Sequence, residues 1–178
     1  MSAVVQVNGI PGSGKSTLSR PLAAELGFPL ISKDTIKESL YDSLGIGDRS
    51  WSQTLGRASI AVMWSLVPTM AGPVLLESNW WPEFRALLLE DCRVADVSQI
   101  VEVWCEVPAD VAFARYAARA ETNRHPGHVD QTLIEAGPRQ WREQNVPLNV
   151  GPLLRVPTDR LVDIPAVAGW VRDQLGSV

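Results

Sequence analysis

The sequence predicts a three-layer α/β/α sandwich around a five-stranded parallel sheet. Three observations lead there. Strand-like and helix-like patterns alternate along the 178 residues, as in βα units that need helices on both faces of a parallel sheet. A glycine-rich loop stands between the first strand and the first helix. Polar residues gather just after each candidate strand, at the carboxyl ends where open parallel sheets bind ligands.

The first strand is predicted at 3–8, where Ala3 to Val7 is apolar apart from Gln6. The loop 9–17 and a helix over 15–26 follow, then a strand at 28–31 and a helix at 33–44 that begins beside Ser32-Lys33-Asp34. Gly45 to Ser50 reads as a loop. A helix over 51–70 leads to the strand 73–77, whose Pro73-Val74-Leu75-Leu76 run suits a central strand buried on both sides. Pro82 opens a helix over 82–95, in the first turn where proline is tolerated. The strand 99–105 is apolar except for Glu102, an awkward charge in such a place. A helix over 108–122, a loop from Thr122 to His128, a helix over 130–142, a strand at 152–157 and a helix over 164–175 complete the pattern. With no internal repeat, the chain is read as one domain over 1–178.

Composition narrows the function classes. Hydrophobic residues make up 46% and charged residues 20%, the balance of an ordinary globular protein. No apolar run reaches the ~18 residues that span a bilayer, and the first residues lack the basic-then-apolar pattern of a signal peptide. Cys92 and Cys105 are too few for a disulfide framework and read as reduced core residues, which points to the cytoplasm. A net charge of −4, with no basic stripe, argues against a long nucleic-acid substrate.

The chemistry is carried by Gly9-Ile10-Pro11-Gly12-Ser13-Gly14-Lys15-Ser16-Thr17, which fits G-x-x-x-x-G-K-[ST] between a strand and a helix. Glycines let successive N–H groups converge on one concavity. The helix that starts near Lys15 adds its positive end there. Gly12, Ser13, Gly14, Lys15, Ser16 and Thr17 are thus expected to cradle the phosphates of ATP. Lys15 reaches the β- and γ-phosphates, and Ser16 ligates Mg²⁺. The reaction is a separate question. No N-K-x-D motif marks a GTPase, and Asp42-Ser43-Leu44-Gly45 falls at a helix end. The third strand ends in Glu77-Ser78 rather than the Asp-Glu of a motor ATPase.

These residues resemble the small P-loop kinases that include the 5′-hydroxyl kinase of phage polynucleotide kinase, gluconate kinase, chloramphenicol phosphotransferase and the zeta toxins. The likeness runs from the start to about residue 130. It rests on the loop Gly9 to Thr17, on Asp34 with a basic residue three positions on (Lys37), on Glu77-Ser78-Asn79 after the third strand, and on the arginines 115, 119 and 124. Two positions depart from the polynucleotide-kinase pattern: Lys37 replaces an arginine and lacks its bidentate fork, and Glu77 replaces an aspartate.

The resemblance implies an ATP- and Mg²⁺-dependent kinase. Asp34 accepts or orients the proton of an acceptor hydroxyl. Lys15, Arg119 and Arg124 supply charge to the transferring phosphoryl group, and a lid spans about 115–135. Arg115 and Thr158 border the nucleotide. Lys37, Glu77, Asn79, Trp80 and Trp81 form the acceptor side, where Glu77 either touches the acceptor or holds a Mg²⁺-bound water and one of the two rings walls the pocket. The acceptor is expected to be a small molecule: a sugar, a nucleoside-like metabolite or an antibiotic. A 5′-polynucleotide kinase and an ATP-binding switch with little turnover remain as alternatives. Arg57 is read as surface, Trp51, Trp64, Trp104 and Trp170 as core, and His125 and His128 as lid histidines rather than zinc ligands.

Overall fold

The computed structural model describes residues 2–122, 124–128, 135 and 137–176. Five parallel strands form one sheet: β1 (Ser2–Asn8), β2 (Leu30–Ser32), β3 (Val74–Glu77), β4 (Val97–Glu106) and β5 (Leu153–Pro157), in the spatial order β2-β3-β1-β4-β5. The register aligns Val7 of β1 with Glu77 of β3 and Val103 of β4. The carboxyl ends of the three central strands therefore finish side by side. The chain adds β2 and β3 on one side of β1 and then crosses to the other, and ligands bind at such a reversal.

Helices α1 (Lys15–Leu26) and α7 (Ile164–Leu175) cover one face. Leu18, Leu22, Val167 and Val171 pack there with Val5, Val7, Val101 and Val103. The other face carries α3 (Arg49–Leu66) and α4 (Arg85–Val94), whose Met63, Trp64, Leu88 and Cys92 meet Val4 and Leu76. Strand residues alternate between the two faces because successive side chains point oppositely. Helix α2 (Lys33–Leu44) follows β2 directly and packs on α3. A third cluster joins α5 (Ala109–Thr122) and α6 (Pro138–Gln144) to the loop after β1, through Ala112, Tyr116, Trp141 and Ile10.

Several boundaries differ from expectation for local reasons. Helix α3 begins at Arg49 because the Asp48 carboxylate accepts the Trp51 N–H at 2.9 Å, an N-cap. It ends at Leu66, before a 3₁₀ turn at Val67–Thr69 whose Pro68 has no N–H to donate. Pro82–Phe84 is likewise a 3₁₀ turn, and α4 starts at Arg85. Of the helix expected over 130–142, residues 130–134 and 136 lie outside the described residues, as do Asn123 of the preceding loop and residue 129. Glu135 is helical, and helix α6 starts at Pro138, after Gly137 at φ +70°. Trp51 is half-buried rather than core. It lies over the Gly45–Gly47 loop and donates its indole N–H to the Gly45 carbonyl at 3.0 Å.

Candidate active site

The loop after β1 is shaped by close contacts that only glycine permits. Gly12 has φ +80°, and a Cβ there would stand 2.1 Å from the Ala112 carbonyl oxygen. Gly14, at φ +88°, begins α1 with no side-chain cap. Gly14 thus offers the first amides of that helix no side-chain acceptor, at the place where a helix dipole favours an anion. The Lys15 ammonium donates to the carbonyls of Gly9 at 2.8 Å and Ile10 at 3.1 Å. Burial lowers its pKa, and the neighbouring Glu77 carboxylate works against that shift. The loop is also held from behind, where the indole N–H of Trp141 donates to the Pro11 carbonyl at 2.9 Å.

Beside Lys15, the Ser16 hydroxyl donates to Glu77 Oε1 at 2.8 Å. A serine hydroxyl and a buried carboxylate so placed are hard oxygen donors of the kind Mg²⁺ selects. Asp34, in the first turn of α2, faces the same cleft. Burial alone would raise its pKa. Lys33, whose Nζ lies 3.6 Å from Asp34 Oδ1, together with Arg124, His128 and Lys15, overrides burial and holds the carboxyl at about 2. Lys33 is itself pushed down by burial. The sequence placed it on the rim beside Asp34 without assigning it a role.

The cleft has a volume of 470 Å³. Lys15, Lys33, Lys37, Arg49, Arg119 and Arg124 line it, opposed by Asp34, Glu77 and Glu83. A chain with net charge −4 therefore concentrates positive charge here, as an anionic ligand requires. Arg119 and Arg124 lie near the Tyr116 ring, at 6.0 and 5.4 Å from its centroid. The segment after α5 sits on α2. The His125 ring stacks on Tyr41 at 5.4 Å, and a Cβ on Gly127 would come within 2.5 Å of that ring. His125 pairs with Asp42 at 3.1 Å and His128 with Glu38 at 3.0 Å.

The same cleft brings together Lys37, Asn79 and Trp81 with three residues the sequence did not single out: Arg49, Gln53 and Gln140. Lys37 is buried and donates to the Ser52 hydroxyl at 2.9 Å, and Tyr41 donates to the same oxygen at 2.7 Å. The tryptophan pair divides. Trp81 lines the cleft, whereas Trp80 is 7% exposed and packs in the core with Leu76 and Leu88. The assignment of Trp80 to the acceptor wall is therefore corrected: the strand exit turns its ring inward. Arg57 is exposed and bonds Thr54.

A second cavity of 480 Å³ adjoins the first through Gly12, Gly14, Thr17 and Arg119, and is closed by Arg115, Thr158, Arg160 and Val162. Thr158 spends its hydroxyl on backbone, bonding the carbonyls of Ser13 at 2.6 Å and Glu106 at 3.2 Å. Arg115 donates to the Thr158 carbonyl at 3.2 Å. The two cavities share Gly12, Gly14, Thr17 and Arg119, and the first of them also holds Asp34.

Comparison with known proteins agrees with this architecture. The family model described as AAA domain matches residues 4–143. A crystal structure of a candidate kinase from Chloroflexus aurantiacus superposes with a TM-score of 0.85 at 33% identity, covering 98% of each chain. A gluconokinase from Sinorhizobium meliloti superposes with a TM-score of 0.59 at 19% identity, over 98% of this chain and 94% of its own, a likeness of fold alone. An uncharacterized protein of Mycobacterium tuberculosis, Rv2004c, is 33% identical over 150 residues, 76% of this chain. The match takes in 29% of that relative's length, so the chain spans under a third of it. The fold is that of the small P-loop kinases related to sugar and nucleotide kinases. Among the described residues, no helix is long and apolar enough to cross a membrane.

Proposed function

The chain belongs to the AAA domain family, and from that premise we propose that it is an ATP- and Mg²⁺-dependent kinase that phosphorylates a hydroxyl of a small molecule. One observation carries the reading: Asp34 and the glycine loop with Lys15 open onto a single cleft, with the Ser16–Glu77 pair between the same walls. A kinase needs its donor grip and its acceptor-orienting group to share one water-poor space.

The residues present fit the donor. The αL glycines and the uncapped start of α1 suit the triphosphate, the cavity bounded by Arg115, Thr158 and Val162 suits the base, and Ser16 with Glu77 suits Mg²⁺. ATP supplies the transferable phosphoryl group when bound with its metal. Lys15, Arg119 and Arg124 then neutralise charge on the phosphate oxygens. Asp34, with its carboxyl held at about 2, stays ionised and is a weak proton acceptor at neutral pH. Its part is to orient the acceptor hydroxyl by accepting its hydrogen bond. That is enough where the transition state is loose and bond formation to the acceptor lags. The acceptor end mixes an aromatic face at Trp81 with amide and cationic groups at Gln53, Gln140, Arg49 and Lys37. This mixture favours a small hydroxylated molecule such as a sugar, a nucleoside-like metabolite or an antibiotic over a nucleic-acid strand.

The test is a metabolite library incubated with ATP and Mg²⁺ and read by mass spectrometry for transfer of the γ-phosphoryl group. At least one hydroxyl compound should be phosphorylated. Asp34→Asn should keep ATP binding and lose that transfer. If no acceptor raises ADP release above background, the kinase reading gives way to the nucleotide switch.

A further inference from the structure

We propose that Asn8 is a positioning residue that ties the phosphate-binding loop to the acceptor wall, so that filling the loop orders the backbone at Trp80-Trp81. This rests on the nucleotide-binding part of the reading above, and it concerns a residue outside both cavities.

Asn8 is the last residue of β1 and is fully buried. Its Oδ1 accepts two backbone N–H groups, from Gly9 at 2.8 Å and from Trp80 at 2.9 Å. The first belongs to the opening residue of the glycine loop, and the second to the residue beside Trp81 of the acceptor wall. One oxygen atom thus bridges the two halves of the site, from segments 72 residues apart. The Nδ2 group donates to the Trp80 carbonyl at 3.4 Å and to Glu102 Oε1 at 3.2 Å. This orientation is the only workable one. Turned over, the amide would set N–H against two N–H groups and its oxygen against a carboxylate.

Glu102 explains why the bridge is firm. It is fully buried in β4, and its carboxylate also accepts the N–H of Leu148 at 3.0 Å and of Asn149 at 2.8 Å. To present that N–H, Asn149 holds φ +54°, a left-handed conformation that costs energy for a residue with a Cβ and persists where surroundings fix it. A buried charge is tolerated when its oxygens are all engaged. Glu102 therefore anchors Asn8 from the side opposite the loop. Packing alone would have been met by an apolar residue at each position. A linked Asn–Glu pair instead transmits direction, because its hydrogen bonds fix angles as well as distances.

Hydrogen–deuterium exchange tests this with AMPPNP and Mg²⁺ as the probe. In the unsubstituted protein the probe should slow exchange both in 9–17 and in 78–84, each by at least about threefold. In Asn8→Ala the protection of 9–17 should remain and that of 78–84 should vanish. A residue that only packs would lower protection in both segments together. If Asn8→Ala does not fold, Asn8→Ser, whose hydroxyl is too short to take both N–H groups, carries the same expectation. Protection of 9–17 without any in 78–84 in the unsubstituted protein overturns this proposal alone, as does protection of 78–84 that survives the substitution. No protection of 9–17 in the unsubstituted protein overturns the nucleotide reading and this proposal with it.

Discussion

The donor half and the acceptor half of the cleft are built from different material. Around the glycine loop the contacts fix the backbone. Gly12 lies against the Ala112 carbonyl, Trp141 holds the Pro11 carbonyl, and Thr158 holds that of Ser13. Across the cleft the lining is side chains from separate elements: Lys37 on α2, Arg49 and Gln53 on α3, Trp81 after β3 and Gln140 on α6. Backbone geometry tolerates little change, whereas a side chain on a finished helix can be exchanged without disturbing the fold. Substitutions are thus expected to disturb the fold more around the glycine loop than across the cleft. A gluconokinase can then share the fold at 19% identity without fixing the acceptor proposed for this chain.

The contrast predicts a ranking of defects. Lys15→Ala strikes the donor half at the lysine of the glycine loop. It removes the charge and leaves the carbonyls of Gly9 and Ile10 without their shared donor. Turnover should fall at least about a hundredfold, with weaker ATP binding, measured by steady-state kinetics and calorimetry. The adjacent tryptophans sharpen the comparison further. Trp80→Ala should cost about 3–5 kcal/mol in urea unfolding, as a buried aromatic truncation does. Trp81→Ala should change stability by under about 1 kcal/mol while raising KM for the acceptor about tenfold. Equal effects from the two would erase the distinction between core and wall.

The same contrast governs what could be read in the sequence. The glycine loop was legible because its chemistry is local: nine consecutive residues state the turn, the lysine and the hydroxyl. The strands were legible because Val74 to Leu76 and Ile100 to Cys105 are too apolar for another setting, and Asp34 because it follows a strand. Which of Trp80 and Trp81 walls the cleft was not, since it depends on how β3 leaves the sheet. Trp141 went unnoticed in a short helix behind Gly137-Pro138, and its bond to Pro11 spans 130 residues. Glu102 looked out of place because its partners, Asn8, Leu148 and Asn149, are at least 46 residues away. Whatever depended on long-range partners stayed hidden.

Acid should probe the acceptor half through His128. Burial is the first cause of its low pKa, and Arg124 adds to it, so the imidazole is held down to about 3. It is neutral at pH 7, with Glu38 at 3.0 Å. An unfolded histidine titrates near ~6.5. Between these values the unfolded chain binds the extra proton, so stability is fully present above ~6.5 and falls as pH drops toward 3. Asp34 acts in a lower window: its folded pKa of about 2 gives stability present above ~3.9 and lost as pH falls through that range. Urea midpoints between pH 7 and 4 should therefore decline, and His128→Gln should flatten the decline. An unchanged slope would mean that His128 does not stay neutral in the fold.

The smallest expected effect returns to the donor half and tests whether its rigidity is shared among many contacts. Thr158→Val keeps the shape of the side chain and removes the hydroxyl that bonds Ser13 and Glu106. The loop still has Trp141 behind Pro11 and Ala112 behind Gly12. The loss should be about 1 kcal/mol of stability, the scale of a single hydrogen bond. ATP affinity should weaken a few-fold, with no change in KM for the acceptor. A shift in the acceptor constant would show that the two halves are coupled through β5 as well as through β1. Loss of ATP binding as complete as in Lys15→Ala would mean that this one threonine, rather than the surrounding packing, holds the loop in shape.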